Sequence, residues 1–162
     1  MDSVSVKVTK MIELDRDRLF DYFIPIKLPI LLRGYGLLPA VVKVSEQTGA
    51  WDVPGSSRMV HLSDSGTIRE EVISCDRPNL FSYKLSKFTG MFSLLVAGAN
   101  GEWRFKQINN QLTEVNWEYS FDAKGRFTRL ILQPIIELLF HRYMQQIVED
   151  LSVLAKKSLA EF

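Results

Sequence analysis

The first pattern in the chain is an alternation. Val4, Val6 and Val8 are separated by Ser5, Lys7 and Thr9, the period-2 signature of a strand with one buried face. It predicts a strand over residues 3–13. Asp15 then suits a helix N-cap, with Leu14 before it and Leu19 at the fourth helical position to close a hydrophobic staple. The short helix that follows ends near Pro25, because proline lacks the amide hydrogen a helix interior needs. Residues 24–40, IPIKLPILLRGYGLLPA, hold three prolines, two glycines and only two charges, Lys27 and Arg33. This segment is apolar but cannot form one regular helix.

Strand-like runs alternating with turn signals follow: AVVKVSEQT, GAWDVPGSS, RMVHLSD, SGT, IREEVISC, DRPN and LFSYKLSKF. They read as an antiparallel meander. GEWRFKQINNQLTEVNWEYSF, residues 101–121, supplies a further hairpin with rings at every second position. A two-residue loop at Asn109 and Asn110 would set Trp103 opposite Asn116, an aromatic face against a polar one. A three-residue loop, Asn109–Gln111, instead pairs Trp103 with Trp117, Phe105 with Val115 and Lys106 with Glu114. Finally, Leu132, Ile136, Leu139, Phe140, Tyr143, Ile147, Leu151 and Leu154 recur at helical spacing. They predict a long amphipathic C-terminal helix, which Pro134 either opens or kinks, since residues 126–133 also look partly helical. The order is strand, short helix, irregular apolar segment, about six strands, long helix.

Composition narrows the function classes. The 162 residues suit a single domain spanning 1–162, with 46% hydrophobic and 24% charged residues as in ordinary globular proteins. Lys plus Arg number 20 against 19 Asp plus Glu, so the cationic surplus of a nucleic-acid binder is missing. Cys75 is the sole cysteine, and no signal-like N-terminal segment precedes the first strand. Both favour the cytoplasm. LPILL and FSLLVAGA are too short to span a bilayer, which takes about 20 apolar residues in a helix. No transmembrane segment is expected.

Two patterns, VTKMIELDRDRLFDYF and GEWRF followed by LTEVNWEYSF, together with this element order, resemble the START/Bet v 1-like (SRPBCC) superfamily. Its members include START domains, the birch-pollen allergen fold and polyketide cyclase/dehydrase and lipid-transport families. Gly101, Trp103, Phe105, Thr113, Val115 and Trp117 stand at the matching places, and the resemblance covers nearly the whole chain. It implies an α+β helix-grip fold: a curved antiparallel sheet of about six to seven strands wrapped around a long C-terminal helix, with short helical segments after strand 1. The aromatic face then points at the helix. The space between is either filled by rings, each burying roughly 150–250 Å², or left as a ligand cavity near residues 24–40.

With a three-residue turn at Asp64–Gly66, Arg58 and Glu70 share the inner face with Val60, Leu62, Ile68 and Val72. Buried charges are costly alone, so the two either pair with each other or meet water inside a cavity. Tyr83, Tyr119 and Tyr143 offer hydroxyls to a ligand or to backbone carbonyls. Tyr35, between Gly34 and Gly36, lies in a segment that either closes the core or forms a lid. The candidate ligand contacts are therefore Tyr35, Arg58, Glu70, Tyr83, Trp103, Trp117, Tyr119, Phe140 and Tyr143, with Glu70 and Arg58 as catalytic candidates. His61 and His141 show no inward carboxylate partner, and so few Cys and His cannot build an ordinary zinc site. No metal and no cofactor is expected, since G-x-G-x-x-G, P-loop and G-x-S-x-G motifs are all missing.

Three functions compete. The first is binding of a small hydrophobic, lipid- or polyketide-like ligand between sheet and helix, in a pocket of about 300 Å³ or more. The second is a cyclase/dehydrase-type enzyme using Glu70 and Arg58. The third is an interaction module making peripheral membrane or homodimer contact through residues 24–40.

Overall fold

The computed structural model describes residues 2–160. Strand β1, Ser3–Ile12, buries Val4, Val6, Val8 and Ile12 on one face. Helix α1, Arg16–Phe23, begins at Asp15, whose side chain accepts the Arg18 amide, and ends just before Pro25. Leu14 packs against the core into which Leu19 is fully buried. Residues 24–40 contain one short helix, α2, Leu28–Leu31, with Pro29 in its first turn. A single backbone bridge links Tyr35 to Leu38 beyond it.

Six strands follow: β2 Val41–Ser45, β3 Ser57–Leu62, β4 Thr67–Asp76, β5 Leu80–Ser86, β6 Val96–Asn109 and β7 Leu112–Ala123. A 3₁₀ turn, Met91–Leu94, precedes β6. The strands form one antiparallel sheet in the order β1-β7-β6-β5-β4-β3-β2. Register shifts at residues 72–74, 96–98 and 107–109 interrupt the ladders, and such bulges bend a sheet. The run GAWDVPGSS is a loop rather than a strand, yet it buries Trp51.

The long helix is continuous from Arg126 to Leu159. Helix α3, Arg126–Pro134, passes into a π-helical stretch, Ile135–Phe140, and then into α4, His141–Leu159. Pro134 neither opens nor breaks it; the wider π turn starts at the next residue. Leu132, Ile136, Tyr143, Ile147 and Leu151 are buried as their spacing requires, joined by Met144, Val148 and Ala155. Leu139, Phe140 and Leu154 are half-buried.

Two turns differ from expectation in detail. In the β6–β7 hairpin the pairs Trp103–Trp117, Phe105–Val115 and Lys106–Glu114 hold, but the turn is Asn110–Gln111. An irregularity between Gln107 and Asn109 takes up the extra residue, and the Asn109 carboxamide oxygen accepts the Gln111 amide. The β3–β4 loop is Ser63–Ser65, one residue earlier than Asp64–Gly66. The Asp64 carboxylate accepts the Gly66 amide at 2.8 Å, the side-chain-capped turn that aspartate favours. A loop at Asp64–Gly66 would set Val60 opposite Glu70. The actual loop slides the pairing by two, preserves the inward face and sets Arg58 opposite Glu70.

Candidate functional site

The sheet's concave face splits into a filled end and an open end. At the filled end α1 drives Phe20 and Phe23 against the sheet: Phe23 lies 4.5 Å from Trp103 and 5.5 Å from Phe105, centroid to centroid. Phe20 meets Phe105 edge-on at 5.2 Å. Trp103 and Trp117, directly paired on β6 and β7, stack at 4.3 Å. Such pairs add about 0.5–1.5 kcal/mol beyond burial alone.

Toward the other end the rings stop filling the space. A cavity of about 110 Å³ lies between Val60, Leu62 and Ile68 of the sheet, Ile136, Phe140 and Ile147 of the long helix, and Leu28, Leu32, Leu38 and Pro39. A second, of about 60 Å³, lies beside it under Trp51, Arg58 and Phe81 and reaches the Phe23 and Trp103 rings that border the filled end. Glu70, Trp117 and Tyr119 line both. Neither volume reaches the ~300 Å³ common for drug-sized ligands. The segment 24–40 forms the larger cavity's cover, turning Leu31 and Leu38 into the core and leaving Ile30 and Leu37 outside.

At the junction of the two cavities sits a polar cluster. Arg58 Nε and Nη2 both donate to Glu70 Oε1, at 2.7 and 2.6 Å, with both residues buried. The Arg58 guanidinium carbon also lies 3.7 Å over the Trp51 ring, a cation–π contact strengthened by exclusion of water. Burial pushes the Glu70 carboxyl above the usual carboxylate range; Arg58 opposes this through charge and hydrogen bonding without cancelling it.

Next to this pair the Trp117 indole N–H donates to the Tyr83 hydroxyl at 3.1 Å, and Tyr83 donates to Tyr119 at 2.8 Å. Burial holds both phenols well above their ordinary pKa, and the Glu70 charge adds to the effect. The cluster depends on Gly101, which pairs with Tyr83 on one side and Tyr119 on the other. A Cβ there would lie 2.4 Å from the Tyr83 ring, so only glycine lets the two phenols meet across β6.

The polar inventory is therefore nearly closed. The Tyr143 hydroxyl, which also lines the larger cavity, accepts the Gly34 amide at 2.9 Å and donates to the Pro39 carbonyl at 3.2 Å. Tyr143 thus pins the segment 24–40 to the long helix. On the wall of the larger cavity two side-chain polar functions have no protein partner among the described residues: Glu70 Oε2 and the Tyr119 hydroxyl proton.

Of the residues singled out from sequence, Arg58, Glu70, Tyr83, Trp103, Trp117 and Tyr119 form one connected wall. Phe140 closes the cavity from the helix, edge-on to Tyr119 and Phe121 at 5.1 and 5.0 Å. Tyr35 lines neither cavity and packs against the core from the loop. His61 bonds Ser45 at 2.7 Å on the outer side. Trp51 was missed: it stands alone in a loop rich in turn residues, and no periodicity marks such a position. Phe88 and Phe92 were missed because they lie past the end of β5 at Ser86, off the alternation that marks its inner face.

No family model matches the sequence, and neither does any curated protein sequence. Solved structures do match. Norcoclaurine synthase from Thalictrum flavum superposes with a TM-score of 0.74 at 14% identity, covering 96% of both chains. A Streptomyces aromatase/cyclase gives 0.72 at 14%, covering 97% of this chain and 96% of that one. The major latex-like protein 151 from Panax ginseng gives 0.70 at 11%, covering 94% and 97%. The structural neighbours are Bet v 1-like proteins, and at these identities the likeness establishes the helix-grip fold.

Proposed function

We propose that the chain binds a small, mostly apolar ligand between the sheet and the long helix, oriented by Glu70 and Tyr119. The observation that carries this reading is the pair of uncommitted polar functions, Glu70 Oε2 and the Tyr119 O–H. They lie on a wall whose other groups are hydrocarbon or already bonded. An apolar pocket with a few convergent polar groups is the usual form of a small-molecule site. The matching ligand has a hydroxyl for Glu70 and a carbonyl or phenol oxygen for Tyr119 on a lipid- or polyketide-like body.

Neighbours of the same fold support this class. One norcoclaurine synthase structure is a complex with dopamine and hydroxybenzaldehyde, both small phenols. Because the cavity is smaller than such pockets usually are, entry requires the cover to shift. Gly34 and Gly36 have φ of 89° and 57°, a left-handed conformation that glycine adopts without strain, and Gly34 is itself one of the two points, with Pro39, at which Tyr143 holds the cover.

The test is a titration with a hydroxylated aromatic ketone, read through tryptophan fluorescence, since Trp117 lines both cavities. Wild type quenches saturably. Val60→Phe, which fills the larger cavity from β3, folds normally and loses the signal. Undiminished binding by a folded Val60→Phe protein would refute the reading.

A second reading, a cyclase/dehydrase-type enzyme, is favoured by the raised pKa of Glu70 in an apolar site. Glu70 would move a proton on a polyketide-like substrate, with Arg58 as anchor and Tyr119 as hydrogen-bond donor. It requires that Glu70→Gln abolish turnover while binding persists. Peripheral membrane or homodimer contact through residues 24–40 has less support, because that segment directs most of its leucines inward.

A further inference from the structure

Three segments line the larger cavity at its open end: residues 24–40, the β5–β6 connection and the first half of the long helix. Their outward surfaces are unusually apolar. On the long helix Phe127, Leu130 and Leu138 are 76%, 64% and 60% exposed, and Ile131 is also exposed. With 100° per residue up to Pro134 and the smaller step of the wider π turn after it, these four fall within one stripe, opposite the buried Leu132 and Ile136. Helix residues 126–140 are thus apolar on both sides, the pattern of a helix covered on both. The 3₁₀ turn adds Met91 and Leu94, 66% and 71% exposed, and the cover adds Leu37, at 83%.

These surfaces adjoin. The Lys124 amide donates to the Leu95 carbonyl at 3.0 Å, tying the helix start to the 3₁₀ turn. Gly36 lies against Leu139, whose Cδ2 is 4.0 Å from an ideal Cβ at that glycine. Together they make an apolar rim of the kind that marks an interaction site.

Basic residues outnumber acids around the rim, where the acids are Glu137 on the helix and Asp64, whose carboxylate lies beside Gly66 and Gly90 at the start of the 3₁₀ turn. Lys27, Lys87, Lys124, Arg126 and Arg142 are exposed and take no ion pair among the described residues. Arg142 continues the helix stripe one turn beyond Leu138. Glu137 is the sole acid in residues 24–40, 86–95 and 124–142. Since the whole chain has 20 basic and 19 acidic residues, the rest of the surface is net acidic.

We infer that this rim docks the cavity end of the protein onto an anionic lipid surface, with the helix stripe and the 3₁₀ turn entering the headgroup layer. Apolar side chains flanked by cations are what such a surface recognises. A second copy fits less well: an isologous dimer through this face would bring two sets of five cations together. The inference does not depend on the ligand reading, because none of the exposed rim side chains lines either cavity.

The test is co-sedimentation with vesicles of phosphatidylcholine alone and of phosphatidylcholine with 30% phosphatidylserine, about one lipid in three, a composition of ordinary anionic strength. Wild type partitions to the anionic vesicles, less in high salt, and little to the neutral ones. Leu130→Asp with Leu94→Asp, and separately Lys124→Glu with Arg126→Glu, each weaken partitioning about tenfold or more, while thermal melting and ketone binding stay unchanged. Absence of wild-type partitioning to anionic vesicles overturns the inference. So does equal partitioning of all three proteins, or a dimer in sedimentation velocity that both double variants dissolve.

Discussion

Arg58 and Glu70 face each other directly across β3 and β4, and a single carboxylate oxygen, Glu70 Oε1, takes both guanidinium bonds. The monodentate arrangement leaves Glu70 Oε2 available on the cavity wall. The pair therefore serves the fold through one oxygen, and the proposed ligand reading uses the other.

Removing one partner alone is costly. Arg58→Met is expected to lose about 3–5 kcal/mol, because it strands a buried carboxyl. The double variant Arg58→Met with Glu70→Leu should recover most of that loss, since apolar replacement of a buried pair is often near neutral. Urea unfolding measures both. If the anchor reading holds, the stable double variant still fails to bind the ketone; retained binding would leave the pair a purely structural device.

Gly101→Ala should destabilise by about 1–3 kcal/mol, because its Cβ overlaps the Tyr83 ring and forces a shift. In a Tyr83→Ala background the same change should cost under about 0.5 kcal/mol, since the two residues are in direct contact and losing the ring removes the clash. Thermal melts of the four proteins decide it. Equal costs in both backgrounds would show that the Tyr83 contact is not the reason for glycine.

Tyr119→Phe removes the hydroxyl that the proposed ligand reading assigns to a carbonyl or phenol oxygen. Binding of the ketone should weaken about tenfold, the loss of one hydrogen bond in a dry site, with binding of a hydrocarbon analogue unchanged. Equal weakening for both ligands would mean that the cavity, rather than the hydrogen bond, was damaged.

Alkaline pH should unfold the protein through its phenols. Tyr83, Tyr119 and Tyr143 have pKa values raised by burial above the ordinary 10.0. A pKa raised in the folded state gives stability that is fully present below the unfolded value and lost as pH rises through the folded one. Stability should therefore fall above about pH 10. Absorbance of phenolate should appear for these three tyrosines only together with loss of the native circular dichroism. Early, fully reversible titration of all five tyrosines in the folded protein would contradict it.

Much of this was legible because side-chain parity survives small errors of register. Moving the β3–β4 loop by one residue slid the pairing by two, so Arg58 and Glu70 stayed on the concave face while their direct opposition was hidden. The β6–β7 pairs were readable from their rings, although a bulge at residues 107–109 changed the turn itself. Tertiary choices were not readable. Nothing local says that Trp51 folds back over Arg58, that Phe23 fills the Trp103 end, or that Tyr143 is satisfied by Gly34 and Pro39. Apart from Trp51 and Arg58, which meet across one loop, these contacts join residues far apart in sequence, and together they determine how much space is left for a ligand.

The most direct test of the ligand site is native mass spectrometry of freshly purified protein, paired with an organic extract of the same sample. The cavity and its two free polar functions predict a defined added mass that leaves on denaturation, appears in the extract as a small oxygenated apolar compound, and is missing from Val60→Phe. An added mass carried equally by Val60→Phe, or a clean apo mass in a wild-type protein that also fails to take up any hydroxylated ketone, would contradict the account.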